Sequence, residues 1–361
     1  MNRIKELYTG IILSSGIAYC SIIISEYFGI KILGFTKSPI SSTVIAITFG
    51  IFISNTMQLP KKINSGLQFS SKEILRLGII LMGIKIGLSD MIGFGTPSLM
   101  IVIPCIFLTI ITIRVTSQFF NLRPKIATLI AVGTSICGAT AIIATAPTIN
   151  AKKEEIAYAI ATITVFGLIA MILYPIIANT IFPEDPISAG VFLGASIHET
   201  AQVAGAGMIY ADQYSQTSVL NISTVTKLIR NISIVLVIPY FTYQYLKQKS
   251  NYESNYFYQI YITFPKFIFG FILLGILRTV GDVGIIQSDL AFGFINQDKW
   301  GDIINLFSNI SKNLLLIAMS SVGLSIKIDS LKSIGIIAFL YGFFMSCFVG
   351  FISLMLIIQL L

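Results

Sequence analysis

KIATLIAVGTSICGATAIIATAP, residues 125–147, is the stretch whose reading decides the fold. GVFLGASIHETAQVAGAGM, residues 190–208, echoes it about sixty positions later. Each is an apolar run of bilayer length whose polar and helix-breaking residues stand in the middle and not at the ends. An unpaired backbone group in hydrocarbon costs several kcal/mol, so broken backbone survives there only where protein or a wet cavity covers it. A membrane segment interrupted near its midpoint is therefore a sequence-level pointer to a transporter binding site.

Working outward, the 361 residues are 55% hydrophobic and only 11% charged. A soluble chain carries about a quarter charged residues. Apolar runs of membrane length recur along the chain, which predicts an all-α polytopic membrane protein. A β-barrel would show short alternating segments instead. The net charge of +8 does not point to nucleic acid, because the basic residues are scattered singly or in pairs between apolar runs. The positive-inside rule accounts for them. Cys20, Cys105, Cys137 and Cys347 lie inside apolar runs with no metal-ligand spacing. The run after residue 8 lacks an A-x-A-like exit and reads as a first membrane helix, not a cleaved leader.

Eleven candidate spans follow: 7–30, 39–57, 73–95, 97–119, 125–149, 155–182, 186–210, 218–247, 258–280, 301–326 and 331–361. They form one transmembrane domain over 1–361, with the first helix read as an addition to a repeat core. With the N-terminus inside, eleven loop cations (Arg3, Lys5, Lys61, Lys62, Lys72, Arg123, Lys125, Lys247, Lys249, Lys327, Lys332) face five outside (Lys31, Lys37, Lys152, Lys153, Lys299). That bias predicts a cytoplasmic N-terminus in the plasma or inner membrane. GIKIGLSDM (83–91) is echoed by SVGLSIKIDSL (321–331), ending an odd and an even span, as an inverted repeat requires. The GTSIC and GASIH segments have equal parity, so either one is re-entrant or their likeness is convergent.

Gly133 and Gly138 bracket Thr134, Ser135 and Cys137, with Thr140 beyond. One reading is a helix that unwinds here, whose second half presents free N–H groups and a positive dipole end to an anion, with the Thr134, Ser135 and Thr140 hydroxyls as further donors. The other is a tight helix–helix contact through small residues. His198 is the single histidine of the chain and stands beside Glu199, with Gln202 four positions on. The pair is a candidate for proton coupling or gating, or else a polar pair at a water-facing helix end. HETAQ approaches the zinc-protease pattern H-E-x-x-H, but Gln202 stands where the second histidine is needed.

Lys227 and Arg230 lie three apart on one helix face, well inside an apolar run. Intramembrane cations face a cavity by default; the alternative is a salt bridge to Glu199. Lys85, Arg114, Arg278 and Lys312, in or near span ends, read as snorkelling side chains. The excess of buried cations over carboxylates argues for an anionic substrate. No nucleotide loop or Ser–His–Asp arrangement suggests an enzyme.

GTSICGATAIIATAP, GASIHETAQVAGAG and the KLIR of the eighth span together resemble the YeiH-type family of bacterial inner-membrane proteins, labelled sulfate exporters by inference. More distantly the pattern is similar to the bile-acid symporter and sodium–proton antiporter superfamily. That likeness implies inverted repeats with two interrupted helices crossing near the bilayer midplane, and alternating access. Carried over residue by residue, it implies substrate contacts at Gly133, Thr134, Ser135, Cys137, Gly138, Thr140, Gln202, Lys227 and Arg230, with His198 and Glu199 coupling or gating. The antiporters' aspartate pair is absent from GTSICGATA, which counts against sodium or proton antiport as the main activity. The expected partners are a small anion such as sulfate or an organosulfonate, the lipid bilayer, and protons or sodium. No cofactor, metal or nucleic acid is expected, and a homodimer is left open.

Overall fold

The computed structural model describes residues 2–27, 41–147, 149–233, 237, 240–241, 266–326 and 336–361. The described chain is almost wholly helical, in the order α1 (Asn2–Glu26), α2 (Ser42–Thr56), α3 (Asn64–Phe69), α4 (Leu75–Met82), α5 (Leu88–Phe119), α6 (Pro124–Ser135), α7 (Ala139–Thr145) and α8 (Lys153–Ile181). There follow α9 (Pro186–Ser196), α10 (Thr200–Tyr214), α11 (Ser218–Ile232), α12 (Phe267–Ser288), α13 (Gln297–Leu324) and α14 (Ile336–Leu360). A two-stranded hairpin, β1 (Leu290–Ala291) and β2 (Ile295–Asn296), joins α12 to α13.

Among the described residues, six helices are long and apolar enough to cross a membrane: Leu7–Glu26, Leu88–Phe119, Glu154–Ile181, Phe267–Ser288, Gln297–Leu324 and Ile336–Leu360. Along α5 the side chains of Ile103, Phe107 and Val115 stand more than half exposed. Apolar exposure of this kind suits lipid. The protein is an all-α polytopic membrane protein. Of the other expected spans, 39–57 is the short helix α2, while 125–149 and 186–210 are interrupted. The end of 218–247 and the start of 258–280 lie outside the described residues.

One boundary differs. The sequence predicts a break between residues 95 and 97, whereas α5 runs through Pro97 and Pro104 without one. The break lies earlier, at Ile86 (φ −120°, ψ 113°), after a 3-10 turn over Gly83–Lys85. Proline removes one backbone donor, but a membrane helix tolerates that where neighbours re-satisfy the freed carbonyl.

The described residues cluster into two compact units. The first comprises Met1–Phe94, Gly207–Asn221 and Lys266–Ile328. Its glycines in the two echoed motifs play matching parts. A β-carbon on Gly83 would strike the carbonyl of Phe271, and one on Gly323 the carbonyl of Ile47. Both motifs thus end a helix that another backbone touches directly.

The second unit comprises Gly95–Ala206, Ile222–Pro265 and Asp329–Leu361. Its two interrupted segments open alike, with Pro124 and Pro186 in the first turn. Proline fits there because its missing N–H has no intrahelical partner in that turn anyway. Asp185 caps α9 by accepting from the Ile187 and Ser188 amides. Gly190 and Gly194 let α11 lie directly against α9: a β-carbon at 194 would come within 2.6 Å of the Ser223 carbonyl oxygen. This close approach carries the basic residues of α11 to the interruptions.

Candidate functional site

Both segments break where the sequence places their polar centres. α6 ends at Ser135, Ile136 leaves helical geometry (φ −120°, ψ −92°), and Gly138 takes φ +66° before α7 begins. That positive φ, paired with ψ −128°, is open to glycine and strained for other residues. α9 ends at Ser196, Ile197 is extended, and α10 begins at Thr200.

A helix end leaves its last four carbonyls without intrahelical donors, and in a membrane no water replaces them. Lys227 and Arg230 supply the donors for both ends at once. Lys227 Nζ donates to the carbonyls of Ile136 at 2.9 Å, Ile197 at 2.8 Å and His198 at 2.5 Å. Those three bonds use every N–H of the ammonium group. Arg230 Nε donates to Ser135 O at 2.8 Å, and its Nη1 to Ala195 O at 2.6 Å and Ile197 O at 3.0 Å. Its Nη2 donates to Thr134 O. Lys227 is wholly buried and Arg230 only 2% exposed. The two cations sit at the negative dipole ends of α6 and α9, where a positive charge is stabilised.

The hydroxyls of the first interruption turn back on their own helix. Thr134 Oγ1 donates to Ala131 O and Ser135 Oγ to Val132 O. Thr134, Ser135 and Cys137 are buried, whereas Thr140 is exposed on α7. Gly133 is also buried, and a β-carbon there would lie 2.8 Å from Ile142 Cδ1.

The second interruption is organised by Gln202. Its Oε1 accepts from the Glu199 amide at 3.2 Å and its Nε2 donates to Thr164 O at 3.1 Å. Glu199 is the residue before α10, so Gln202 reaches back to the cap position as the third residue of a capping box does. Gly167 makes room for the amide, since any β-carbon there would overlap Gln202 Oε1. The position that a zinc-protease motif would give to a histidine therefore holds a helix cap. Among the described residues, no three His, Cys, Asp or Glu side chains gather into a metal-binding group.

His198 is fully buried, and its Nε2 pairs with Ser346 Oγ on α14 at 2.8 Å. Glu199 is half-buried, and its side chain lies against Gly138, across from its own segment. Sequence reasoning thus names residues that the fold gathers at one place. It misses Ser346 and the Gly167 seat, and gives no role to Asn231, whose Nδ2 donates to Thr200 Oγ1 at 3.1 Å. An isolated serine or glycine in an apolar run carries no pattern of its own; Asn231, next to Arg230, is the one that polarity flags.

A family model described as conserved hypothetical protein 698 matches residues 9–342. The chain belongs to this family, the UPF0324 membrane proteins of YeiH type. It is 31% identical over 328 residues to a UPF0324 membrane protein of Streptococcus agalactiae, covering 91% of this chain and 92% of the relative. A Fusobacterium nucleatum relative of the same family name is 31% identical over 297 residues, covering 81% and 83% of the two chains. A Clostridium tetani relative is 30% identical over 362 residues, covering 97% and 96%. No solved structure matches the chain.

Proposed function

We propose that the protein is a secondary transporter of a small anion, sulfate or a related sulfur oxyanion or organosulfonate, working by alternating access with proton coupling and no enzymatic step. The observation that carries this reading is the closure of two interrupted helices by one basic pair, Lys227 and Arg230. Two buried cations face two helix C-termini, each worth roughly half a negative charge. About one positive charge remains, which the Glu199 carboxylate would offset in its ionised form. Protonating Glu199 leaves that positive charge uncompensated, and an anion restores the balance. In this scheme the carboxylate and the transported anion compete for one potential, which couples proton to anion.

The accessible side of the interruptions supports the same reading. Ala139, Glu199, Thr200 and Ala201 are half-buried and Thr140 is exposed, which favours access of a solute to the start of α10 and its first-turn N–H groups. Lys227 and Arg230 act here through their field, because their donors hold the carbonyls. The charge balance of the site supports a negatively charged substrate. The sulfur chemistry comes from the family resemblance.

A sodium- or proton-coupled transporter of an organic acid or a cation is the second reading. Asn231 favours it: its Oδ1 is buried without a hydrogen-bond partner among the described residues, beside the Thr200 hydroxyl. Counterflow in proteoliposomes separates the two. Labelled sulfate, sulfite, thiosulfate and an organosulfonate are tested at two pH values, with and without sodium. The first reading expects one anion to exchange, faster at the lower pH, and Glu199→Gln to exchange without pH dependence. Exchange that requires sodium and is indifferent to these anions sinks it in favour of the second.

A further inference from the structure

A notch in the first unit lies outside this site. It measures about 410 Å³ and is walled by α12 and α13. Its polar lining is Arg278, Asp282 and Gln297, with Arg278 the one cation. Arg278 Nε donates to Asp282 Oδ2 at 2.5 Å and Nη1 to Ile84 O at 3.5 Å. A guanidinium carries five N–H groups, so among the described residues these two bonds leave the Nη2 edge without a protein partner. Asp282 is held on its other oxygen, Oδ1, by Trp300 Nε1 at 2.9 Å. Gln297 and Gly301 line the notch at the start of α13, and the rest of the wall is apolar: Ile285, Ile286, Ile304 and the Trp300 ring.

Three glycines shape the notch. A β-carbon on Gly281 would come within 2.5 Å of the Trp300 ring, and one on Gly284 within 2.7 Å of Leu290 O. They seat the indole and the hairpin on α12. Gly301 differs, because a β-carbon there meets nothing within 4 Å. It leaves open space where an ordinary side chain would fill the opening.

The level in the bilayer follows from the neighbours. The polar run Gln297, Asp298, Lys299 opens α13 just before Trp300, and Phe294 stands exposed at the hairpin tip. Tryptophan beside a polar helix start marks a membrane–water interface. At that level a guanidinium edge above apolar walls matches one ligand chemistry, a phosphodiester attached to acyl chains.

We infer that the Arg278–Trp300 notch binds the phosphodiester of a membrane phospholipid. The phosphate takes the Nη2 edge of Arg278, and the chains run along Ile285, Ile286 and Ile304. The full-length protein in detergent is titrated with phosphatidylglycerol, with diacylglycerol of the same chains, and with inorganic phosphate at matched ionic strength. Melting temperature and retained adducts in native mass spectrometry are the readouts. Phosphatidylglycerol is expected to raise the melting temperature and to stay bound, while the other two do neither. Gly301→Phe fills the notch and leaves the Arg278–Asp282–Trp300 contacts in place, and is expected to weaken retention about tenfold. Arg278→Lys keeps the ion pair with Asp282 but lacks the second nitrogen edge, and is expected to weaken retention in the same direction. Equal retention by Gly301→Phe, or equal stabilisation by diacylglycerol, overturns the inference. Stabilisation by inorganic phosphate alone overturns the lipid as the source.

Discussion

The Glu199 side chain lies so close to the α-carbon of Gly138 that a methyl group at 138 would overlap it. One residue precedes α10 and the other precedes α7, so the carboxylate of one interruption rests on the backbone of the other. Gly138 also holds φ +66°. Gly138→Ala therefore meets two separate obstacles: a strained backbone, costing on the order of 1–3 kcal/mol, and displacement of Glu199. Thermal unfolding of Gly138→Ala, Glu199→Ala and the double variant separates them. The double variant is expected to be less destabilised than the sum of the singles, and strict additivity would mean that the contact carries no energy.

Lys227 offers a sharper test of what the basic pair does. Lys227→Met strands the carbonyls of Ile136 and His198 and removes one of two donors to Ile197. Removing one partner from a buried charged network costs roughly 3 kcal/mol or more. The expected result is a large fall in melting temperature in buffer free of any candidate anion. A side chain whose sole task is to hold substrate would leave the ligand-free melting temperature unchanged or higher.

The cap on α10 predicts a smaller effect. Gln202→Leu removes the acceptor of the Glu199 amide and the donor to Thr164 O. Loss of a helix cap costs about 1 kcal/mol. Gly167→Ala, which crowds the same amide, is expected to destabilise the native chain but to cost little more once Gln202 is already leucine. A full second penalty in the double variant would place the role of Gly167 elsewhere.

His198 and Ser346 form the remaining pair to be separated. Ser346→Ala leaves a buried imidazole nitrogen without its partner, at an expected cost of about 1–3 kcal/mol. Ser346→Thr keeps the hydroxyl and is expected to restore most of the stability. If alanine and threonine behave alike in denaturation, the hydrogen bond is not what fixes the ring.

Much of this arrangement was legible in residue order. Dense apolar runs with sparse charge require a helical membrane protein, because only internally hydrogen-bonded segments cross lipid. Gly133, Gly138 and the GASIH segment mark the interruptions, since glycine and polar residues weaken helix at mid-membrane. The three-residue spacing of Lys227 and Arg230 puts them on one face.

What residue order left undecided is which groups those cations meet. Lys227 reaches Ile136 across 91 positions and Arg230 reaches Thr134 across 96. The close approach of α11 to Gly190 and Gly194 brings them to the C-terminal ends of α6 and α9, where their donors hold carbonyls. The same holds for Gln202, which spacing offers as a ligand and tertiary contact with Thr164 and Gly167 makes a cap. Periodicity is a property of one helix and survives in its sequence. The partner of a buried donor depends on how separate helices approach, and no local pattern records that distance.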